Sequence, residues 1–223
     1  MGIIILGCAP CTAMVLYWAV LSRSSRGFTV VVSAIHTLIM LAVYAPLASF
    51  LAGLIIPVPW TMIALSVMLF LGLPLALGLI TRRVTIRRKG KGWFNQRLSP
   101  ILDKVANGGF LITVIVLFSL KGDVIVSQPL LTFQVATPLV VEFYLVFLVG
   151  ILAAKLFRLP YRYGAVVGFD GASNHFEIAI AAAATVWGIG SSQAFATVVG
   201  PLFEVPVMVS IAKICLKFED TIW

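Results

Sequence analysis

The sequence predicts an all-α protein that crosses a membrane several times, and three observations carry this prediction. First, 61% of the 223 residues are hydrophobic and only 11% are charged, whereas a soluble domain carries roughly 25% charged residues. Second, long apolar segments recur along the chain, and third, basic residues collect between them. This composition excludes a soluble enzyme, a disordered chain and a disulfide-rich secreted scaffold, because too few polar groups exist to cover a water-exposed surface.

Seven apolar segments are long enough to cross a bilayer, which requires about 20 residues per helix. They comprise residues 3–21, 28–55, 60–80, 99–120, 136–157, 162–187 and 193–216. The second and third are separated only by Ile56-Pro57-Val58-Pro59, which predicts a tight turn. The fourth is predicted to end at Lys121-Gly122-Asp123. Because open, irregular backbone does not face lipid, all seven segments are expected to be helical.

The basic residues predict the orientation. Of the 16 Lys and Arg residues, all except Lys121 fall on one side of the predicted topology, and half of them lie in residues 82–104. The positive-inside rule puts that side, and the C-terminus, in the cytoplasm of a multi-pass plasma-membrane protein. The basic loop predicted at 82–97 is interpreted as a topology signal that also contacts anionic lipid, and not as a nucleic-acid site.

The first span predicts that the chain is truncated. Seven spans with a cytoplasmic C-terminus place Met1 outside the cell, yet the first span begins almost at Met1 without a hydrophilic lead or a cleavable signal. We therefore expect an odd number of further spans upstream.

Two of the spans contain helix-breaking residues in their interiors. The first is expected to break from Gly7 to Cys11, around Pro10, and the sixth from Asp170 to Asn174, around Gly171. Discontinuous helices in matching positions of two halves are typical of inverted-repeat transporters. On this basis residues 58–223 form a complete five-helix repeat, and residues 1–57 the last two helices of the other. The whole would have ten helices, arranged 5+5, with two discontinuous helices that cross.

Acidic residues inside spans are costly and usually functional. Glu177 and Glu204 lie in the middle of their spans, and Ser173 is expected on the same helical face as Glu177. For each glutamate the alternative is a helix–helix hydrogen bond made by the protonated acid. Asp170 is either functional or hydrated near the cytoplasmic end, and Glu142 is interpreted as an interfacial residue near the outer end of its span.

The two histidines carry different predictions. His175 lies between Asn174 and Phe176, where it either packs between helices or relays protons. His36, in the second span, is interpreted as a satisfied residue between helices.

The three cysteines are expected to be free thiols. Cys8 and Cys215 are interpreted as small hydrophobic residues. Cys11 directly follows Pro10, where its thiol can face a cavity and bind a soft ion. The Cys8–Cys11 spacing lacks the βαβ context of a redox motif, and no spacing typical of a zinc site occurs. No cofactor is expected.

Three stretches of sequence resemble the arsenite efflux permeases of the arsenical-resistance-three type, within the bile acid/arsenite/riboflavin transporter superfamily. They are Ala9-Pro-Cys-Thr-Ala-Met-Val15, Gly171-Ala-Ser-Asn-His-Phe-Glu-Ile-Ala-Ile-Ala181 and Ala196-Thr-Val-Val-Gly-Pro-Leu-Phe-Glu-Val-Pro-Val-Met208. That family has ten spans with both ends in the cytoplasm, so the resemblance implies that this chain covers spans four to ten.

The resemblance implies a function and a site. The family's essential cysteine falls on Cys11 and its essential glutamate on Glu177. Members export arsenite, and some antimonite, by using the proton gradient. Cys11 is therefore predicted to bind arsenic, Ser173 and Asn174 to hold its hydroxyls, and Glu177 to carry protons, with Glu204 as a weaker second candidate. The expected partners are arsenite, protons and lipid, and whether a cytoplasmic ATPase assists stays open.

Two other interpretations remain. The first is a sodium-coupled organic-anion symporter of the bile-acid type, in which Cys11 would be incidental. The second is a non-transporting membrane protein, such as a sensor or an assembly subunit. An enzyme is not expected, since no Ser/His or paired-Asp arrangement occurs at matched depth.

Overall fold

The computed structural model describes residues 1–12, 14–53, 60–127 and 129–222. Within these ranges the chain is helical, and the only extended pairing is an isolated bridge. Four helical stretches of the described chain are long and apolar enough to cross a membrane, namely Arg26–Gly53, Trp60–Leu102, Pro129–Leu156 and Ser192–Lys217. The prediction of an all-α polytopic membrane protein is confirmed.

Ten α-helices are assigned in the described chain. They are α1 (Gly2–Gly7), α2 (Val15–Leu21), α3 (Arg26–Gly53), α4 (Trp60–Val67), α5 (Leu73–Trp93), α6 (Ser99–Ser127), α7 (Pro129–Leu156), α8 (Tyr161–Ala172), α9 (Phe176–Trp187) and α10 (Ser192–Ile222). Single π-helical stretches, Met68–Gly72 and Phe94–Leu98, join α4 to α5 and α5 to α6. The predicted turn at 56–59 lies outside the described residues.

The first and sixth predicted spans are both interrupted, as expected, but with different boundaries. α1 continues through Gly7 and α2 begins only at Val15, while the second break covers residues 173–175, between α8 and α9. The expectation that Gly171 lies in the break is wrong, because Gly171 is helical within α8. A Cβ at this position would stand 3.4 Å from Val146 Cγ1, in ordinary van der Waals contact.

The predicted loop at 82–97 is also wrong, because this segment is helical. α5 continues to Trp93, and its only non-helical residue is Gly90, with φ +83°. Arg and Lys are good helix formers, so a basic composition does not by itself end a helix. Gly90 kinks the helix, and the Lys89 ammonium lies 4.2 Å from the centroid of a Trp93 ring, a contact that spans this kink.

The predicted end of the fourth span and the predicted start of the fifth span are both wrong. α6 continues past Lys121-Gly122-Asp123 to Ser127, and α7 begins at Pro129 instead of at residue 136. The short polar sequence at 121–123 therefore does not end the helix. The earlier start of α7 changes the depth of every residue in that span.

Glycines bring the broken helices close to their neighbours. A Cβ on Gly150 of α7 would lie 2.8 Å from the Cα of Gly168 on α8, so these two backbones are in contact. Likewise a Cβ on Gly200 of α10 would lie 2.5 Å from Leu6 Cδ2 on α1. Small residues allow such close packing in lipid, where burial of apolar surface gives little driving force. The short helices are thus held by long ones on either side.

Candidate functional site

The two breaks lie against each other and run antiparallel. The Cys11 N–H donates to the Ser173 carbonyl at 2.7 Å, and the His175 N–H donates to the Ala9 carbonyl at 2.6 Å. Pro10 and Asn174 face each other between these two bonds. Unpaired backbone groups are expensive at membrane depth, so each break satisfies polar groups that the other one frees.

Cys11 is buried in the first break, with 3% of its surface exposed. Its Sγ accepts the Met14 N–H at 3.2 Å, which fixes the sulfur at the start of α2. The thiol lies within hydrogen-bonding reach of the Ser173 side chain. The soft atom of the first break therefore faces the polar groups of the second.

Ser173 connects three elements. Its hydroxyl donates to Glu204 Oε1 on α10 and accepts the indole N–H of Trp18, from α2, at 3.4 Å. Glu204 is 1% exposed, and its Oε2 makes no hydrogen bond within the described chain. A buried carboxyl with an unused oxygen thus lies one side chain away from the Cys11 thiol.

The Asn174 side chain is oriented by Glu142, which the sequence analysis assigned to the interface. Its Nδ2 donates to Glu142 Oε1 on α7 at 3.4 Å. The same oxygen lies 3.0 Å from the point where a Cβ on Gly7 would stand, so the glycine leaves room for this carboxylate. The interfacial interpretation of Glu142 is wrong because α7 starts earlier than predicted, which moves Glu142 to the middle of the helix.

Glu177 lies at the edge of this cluster. It is in the first turn of α9, and its Oε2 is 3.0 Å from His175 Nδ1. With 40% of the side chain exposed, it is far more accessible than Glu204. The expectation that Ser173 shares a helical face with Glu177 is wrong, because Ser173 has an extended backbone (φ −86°, ψ 140°) outside both helices.

Asp170 and His36 contact each other. Asp170 Oδ2, on α8, is 2.5 Å from His36 Nδ1, on α3. The interpretation of Asp170 as a hydrated residue is wrong, since its side chain is only 2% exposed.

The remaining cysteines make no hydrogen bond to the paired breaks among the described contacts, although Cys8 lies within electrostatic range of Glu142. Cys8 is half-buried after α1, Cys215 is buried on α10, and both are free thiols. Among the described residues, no three His, Cys, Asp or Glu side chains are grouped closely enough to hold a metal ion. A soft ion at the crossing would therefore meet a thiol together with oxygen and amide groups.

Sequence reasoning missed Trp18 and assigned Glu142 to the interface. It expected His36 between helices, where the structure has it, but did not identify Asp170 as its partner. An acid within an apolar helix was a signal for Glu142, but the misplaced start of α7 concealed its depth. Trp18 gave no signal, because an aromatic residue in a span is ordinary.

Paired helix breaks inside a bundle of membrane-spanning helices are typical of multi-pass membrane transporters. The comparison with known families agrees with this class. Residues 1–128 match the family described as the sodium bile acid symporter family. The chain belongs to that family.

Curated relatives cover nearly the whole chain. An uncharacterized transporter from Synechocystis is 45% identical over 97% of this chain. Arsenical-resistance protein Acr3 from Alkaliphilus metalliredigens is 37% identical over 96% of the chain, and its namesake from Corynebacterium glutamicum 38% over 94%. The matched regions are 57% to 60% of those proteins, so the chain spans about three-fifths of the relatives' length.

Proposed function

We propose that this chain forms the crossing region of a secondary transporter, not an enzyme, that exports trivalent arsenic from the cytoplasm in exchange for protons. The observation that carries the proposal is the buried Cys11 thiol facing Ser173 and Glu204 across the paired breaks. The names of the two arsenical-resistance relatives support arsenite as the substrate. Antimonite, which has the same preference for thiolate, is the second expected substrate.

The proposed architecture follows the same line. Residues 1–57 are the end of one five-helix repeat and residues 58–223 a second, inverted repeat, in a ten-helix protein of the plasma membrane. The C-terminus is cytoplasmic, as the 15 basic residues on one side require under the positive-inside rule. The length of the relatives supports a longer whole protein.

Capture of arsenite requires one ligand exchange. In As(OH)3 one As–O bond breaks, an S–As bond forms with Cys11, and the thiol proton leaves with the hydroxide as water. A single soft ligand makes this capture reversible, which a carrier needs, because hydrolysis of the S–As bond on the outer side releases As(OH)3. Ser173 and Asn174 hold the two remaining hydroxyls.

The oxygen-binding groups are already oriented for this step. The Glu204 carboxylate accepts the Ser173 hydroxyl, and the Glu142 carboxylate accepts the Asn174 amide at 3.4 Å. These contacts support a defined direction for both side chains before the substrate arrives. Among the described carboxylates, Glu204 is the one bonded to Ser173. In this proposal it takes up the proton of the Cys11 thiol for a moment and passes it on to the leaving hydroxide.

Glu177 is proposed to couple transport to the proton gradient. Its exposed position beside His175 supports exchange with water on alternate sides of the membrane. Proton entry then drives arsenite exit as the crossing alternates its access. Replacing Glu177 with Gln should abolish efflux while the protein stays in the membrane, and retained efflux would contradict this role.

Arsenite accumulation in arsenite-sensitive bacterial cells tests the proposal. The strains express the chain alone, the chain together with its upstream reading frame, and Cys11→Ser in the longer form. Cys215→Ser is the matched control, because it removes another buried thiol from α10 without touching the crossing. We expect the longer form and the control to lower cellular arsenic and Cys11→Ser to leave it unchanged. Unchanged arsenic in every strain, with protein present in the membrane, would refute arsenite export.

The second candidate function is a sodium-coupled organic-anion symporter, which the family match favours. This alternative predicts that transport depends on sodium and is indifferent to Cys11→Ser. The same strains decide between the two when uptake of a labelled bile acid is measured with and without sodium.

A further inference from the structure

A buried histidine–carboxylate pair lies outside the crossing. His36 Nδ1 and Asp170 Oδ2 are 2.5 Å apart and join α3 to α8. His36 is ten residues into α3, so it lies about 15 Å from the start of that helix, well inside a membrane span. Asp170 is two residues before the end of α8, just ahead of the second break. The pair therefore links a long continuous helix to the half-helix that carries Ser173 and Asn174.

Some polar atoms in and around this pair have no hydrogen-bond partner. Asp170 Oδ1, Ser33 Oγ and His36 Nδ1 are buried and meet no hydrogen-bond geometry within the described chain, so the short Nδ1–Oδ2 approach is an ion-pair contact. Ser33 precedes His36 by one helical turn, so it lies on the same side of α3. The neighbouring Thr37 hydroxyl, in contrast, donates to the Ser33 carbonyl at 2.8 Å on its own helix. Each buried polar atom without a partner calls for an explanation, and a proton taken up by the pair would supply a donor for the Asp170 carboxylate.

The charged surroundings of His36 are simple. α1, α4 and the π-helical stretch Met68–Gly72 contain no Asp, Glu, His, Lys or Arg, and the titratable group of α2 is the exposed Tyr17. On α8 the other charged residue is Arg162, eight positions before Asp170 and about 12 Å along the axis.

Two acids on the elements that pack around Asp170 are held in other contacts. Glu142 of α7 accepts from Asn174, and Glu204 of α10 accepts from Ser173. The remaining ionisable groups of these two helices are Tyr144 and Lys155 on α7, and Lys213, Cys215, Lys217, Glu219 and Asp220 on α10. Among the contacts of the described chain, Asp170 is the acid that meets His36.

We propose that His36 and Asp170 together bind a coupling proton of the transport cycle, in addition to the proton carried by Glu177; this rests on the proposed proton-coupled arsenite efflux. One proton shared between Nδ1 and Oδ2 leaves the pair neutral overall. A second proton, taken from the outer side, gives the pair a charge of +1, and its release to the cytoplasm restores the neutral state. Histidine suits this task because it changes charge near neutral pH.

The stoichiometry of transport tests the proposal directly. Arsenite is neutral, so with the membrane potential held at zero its steady-state concentration ratio depends only on the pH gradient and the number of coupled protons. Each coupled proton changes that ratio tenfold per pH unit, the equivalent of about 1.4 kcal/mol. Proteoliposomes containing the chain with its upstream reading frame, potassium and valinomycin provide the measurement.

We expect a slope of two tenfold steps per pH unit for the unmodified protein and of one step for His36→Gln and for Asp170→Asn. Thr37→Val is the matched control on the same helix and should keep the slope of the unmodified protein. Arsenite exchange without a gradient should stay within about twofold in Thr37→Val, and all three variants should be present in the membrane in amounts equal to the unmodified protein, which separates lost coupling from lost structure. An unchanged slope in His36→Gln, or a slope that follows sodium instead of pH, would overturn the proposal. If the unmodified protein moves no arsenite at all, the proposed function fails instead.

A spectroscopic measurement tests the pair without transport. The chain has only two histidines, so ¹⁵N-histidine labelling in lipid nanodiscs gives two sets of ring signals, and His175→Gln assigns them. We expect the His36 ring to change its protonation between pH 5 and 8 and this change to shift in Asp170→Asn but not in Thr37→Val. A His36 ring that is insensitive to both pH and Asp170→Asn would refute proton binding by the pair.

Discussion

The two breaks that meet at the crossing differ in chemistry although they share one backbone pairing. The first break, between α1 and α2, supplies the thiols of Cys8 and Cys11 and no charged group. The second, residues 173–175, supplies a hydroxyl, an amide and an imidazole, and is flanked by Asp170 and Glu177. Each break contributes one N–H and one carbonyl to the bonds that join them.

This difference separates recognition from coupling. In the proposed mechanism the first break recognises a soft ion, while oxygen binding and proton movement belong to the second. Such a division lets the protein capture its substrate weakly on one side and respond to protons on the other. Substitutions at four positions test this division, and their expected effects decrease in the order Cys11, Ser173, Gly7 and Tyr44.

Moving the thiol from one break to the other is the strongest test. Cys11→Ser should lower arsenite binding at least about 100-fold, since the soft ligand is lost. Cys11→Ser combined with Ser173→Cys should recover most of this loss, because the two side chains face each other and the backbone pairing is unchanged. Binding is measured with radioactive arsenite on purified protein. Equal, unimpaired binding by Cys11→Ser alone would show that the first break does not recognise arsenic.

Removing the hydroxyl of the second break should have a smaller effect. Ser173→Ala leaves Glu204 buried without its partner, at a cost of about 1–3 kcal/mol, so we expect transport to fall about tenfold. Ser173→Thr keeps the hydroxyl and serves as the control. Initial rates in proteoliposomes provide the measurement, and equal rates for both variants would argue against a role for this hydroxyl.

Adding a methyl group at Gly7 should disturb only the amide of the second break. A Cβ there would stand 3.0 Å from Glu142 Oε1 and push the carboxylate away from Asn174. Loss of one hydrogen bond is worth about 1 kcal/mol, so transport should fall about fivefold. Gly27→Ala is the control, since a Cβ at that position has no neighbour within 4 Å. Matching rates for the two alanine variants would contradict the contact.

The smallest effect is expected behind the first break. The Tyr44 hydroxyl donates to the Ile5 carbonyl at 3.0 Å and anchors α1 on α3. Tyr44→Phe should lower the free energy of unfolding by about 1 kcal/mol and change transport less than twofold. Thermal unfolding in detergent measures the first quantity. A variant as stable as the unmodified protein would show that this bond does not hold α1.

The sequence was sufficient to predict that two spans are interrupted, although not where the interruptions begin and end, because helix-breaking residues are recognisable from the local sequence. Pro10 lacks an N–H, and Gly171-Ala-Ser-Asn places polar side chains where lipid excludes them, so both breaks were visible before any contact was known. The helical state of the basic segment was not visible, because its charges report topology and its propensity is helical in any environment. The precise ends of α6 and α7 depend on packing that a local pattern does not contain.

Side-chain pairs across helices were beyond local patterns for the same reason. His36 and Asp170 are 134 positions apart, and nothing in either neighbourhood specifies the other. Glu142 meets Asn174 only because α7 starts at Pro129, which sets its depth against the second break. Periodicity places a residue on a helix, but the rotation and height of that helix decide its partner.

The bonds that join the two breaks have a consequence for evolution. They use only main-chain atoms, from Ala9, Cys11, Ser173 and His175. The backbone pairing itself therefore does not depend on which side chains stand at these four positions. In such a protein a single substitution at position 11 or 173 can change which substrate is bound. Substrate selectivity can therefore change faster in evolution than the pairing of the two breaks.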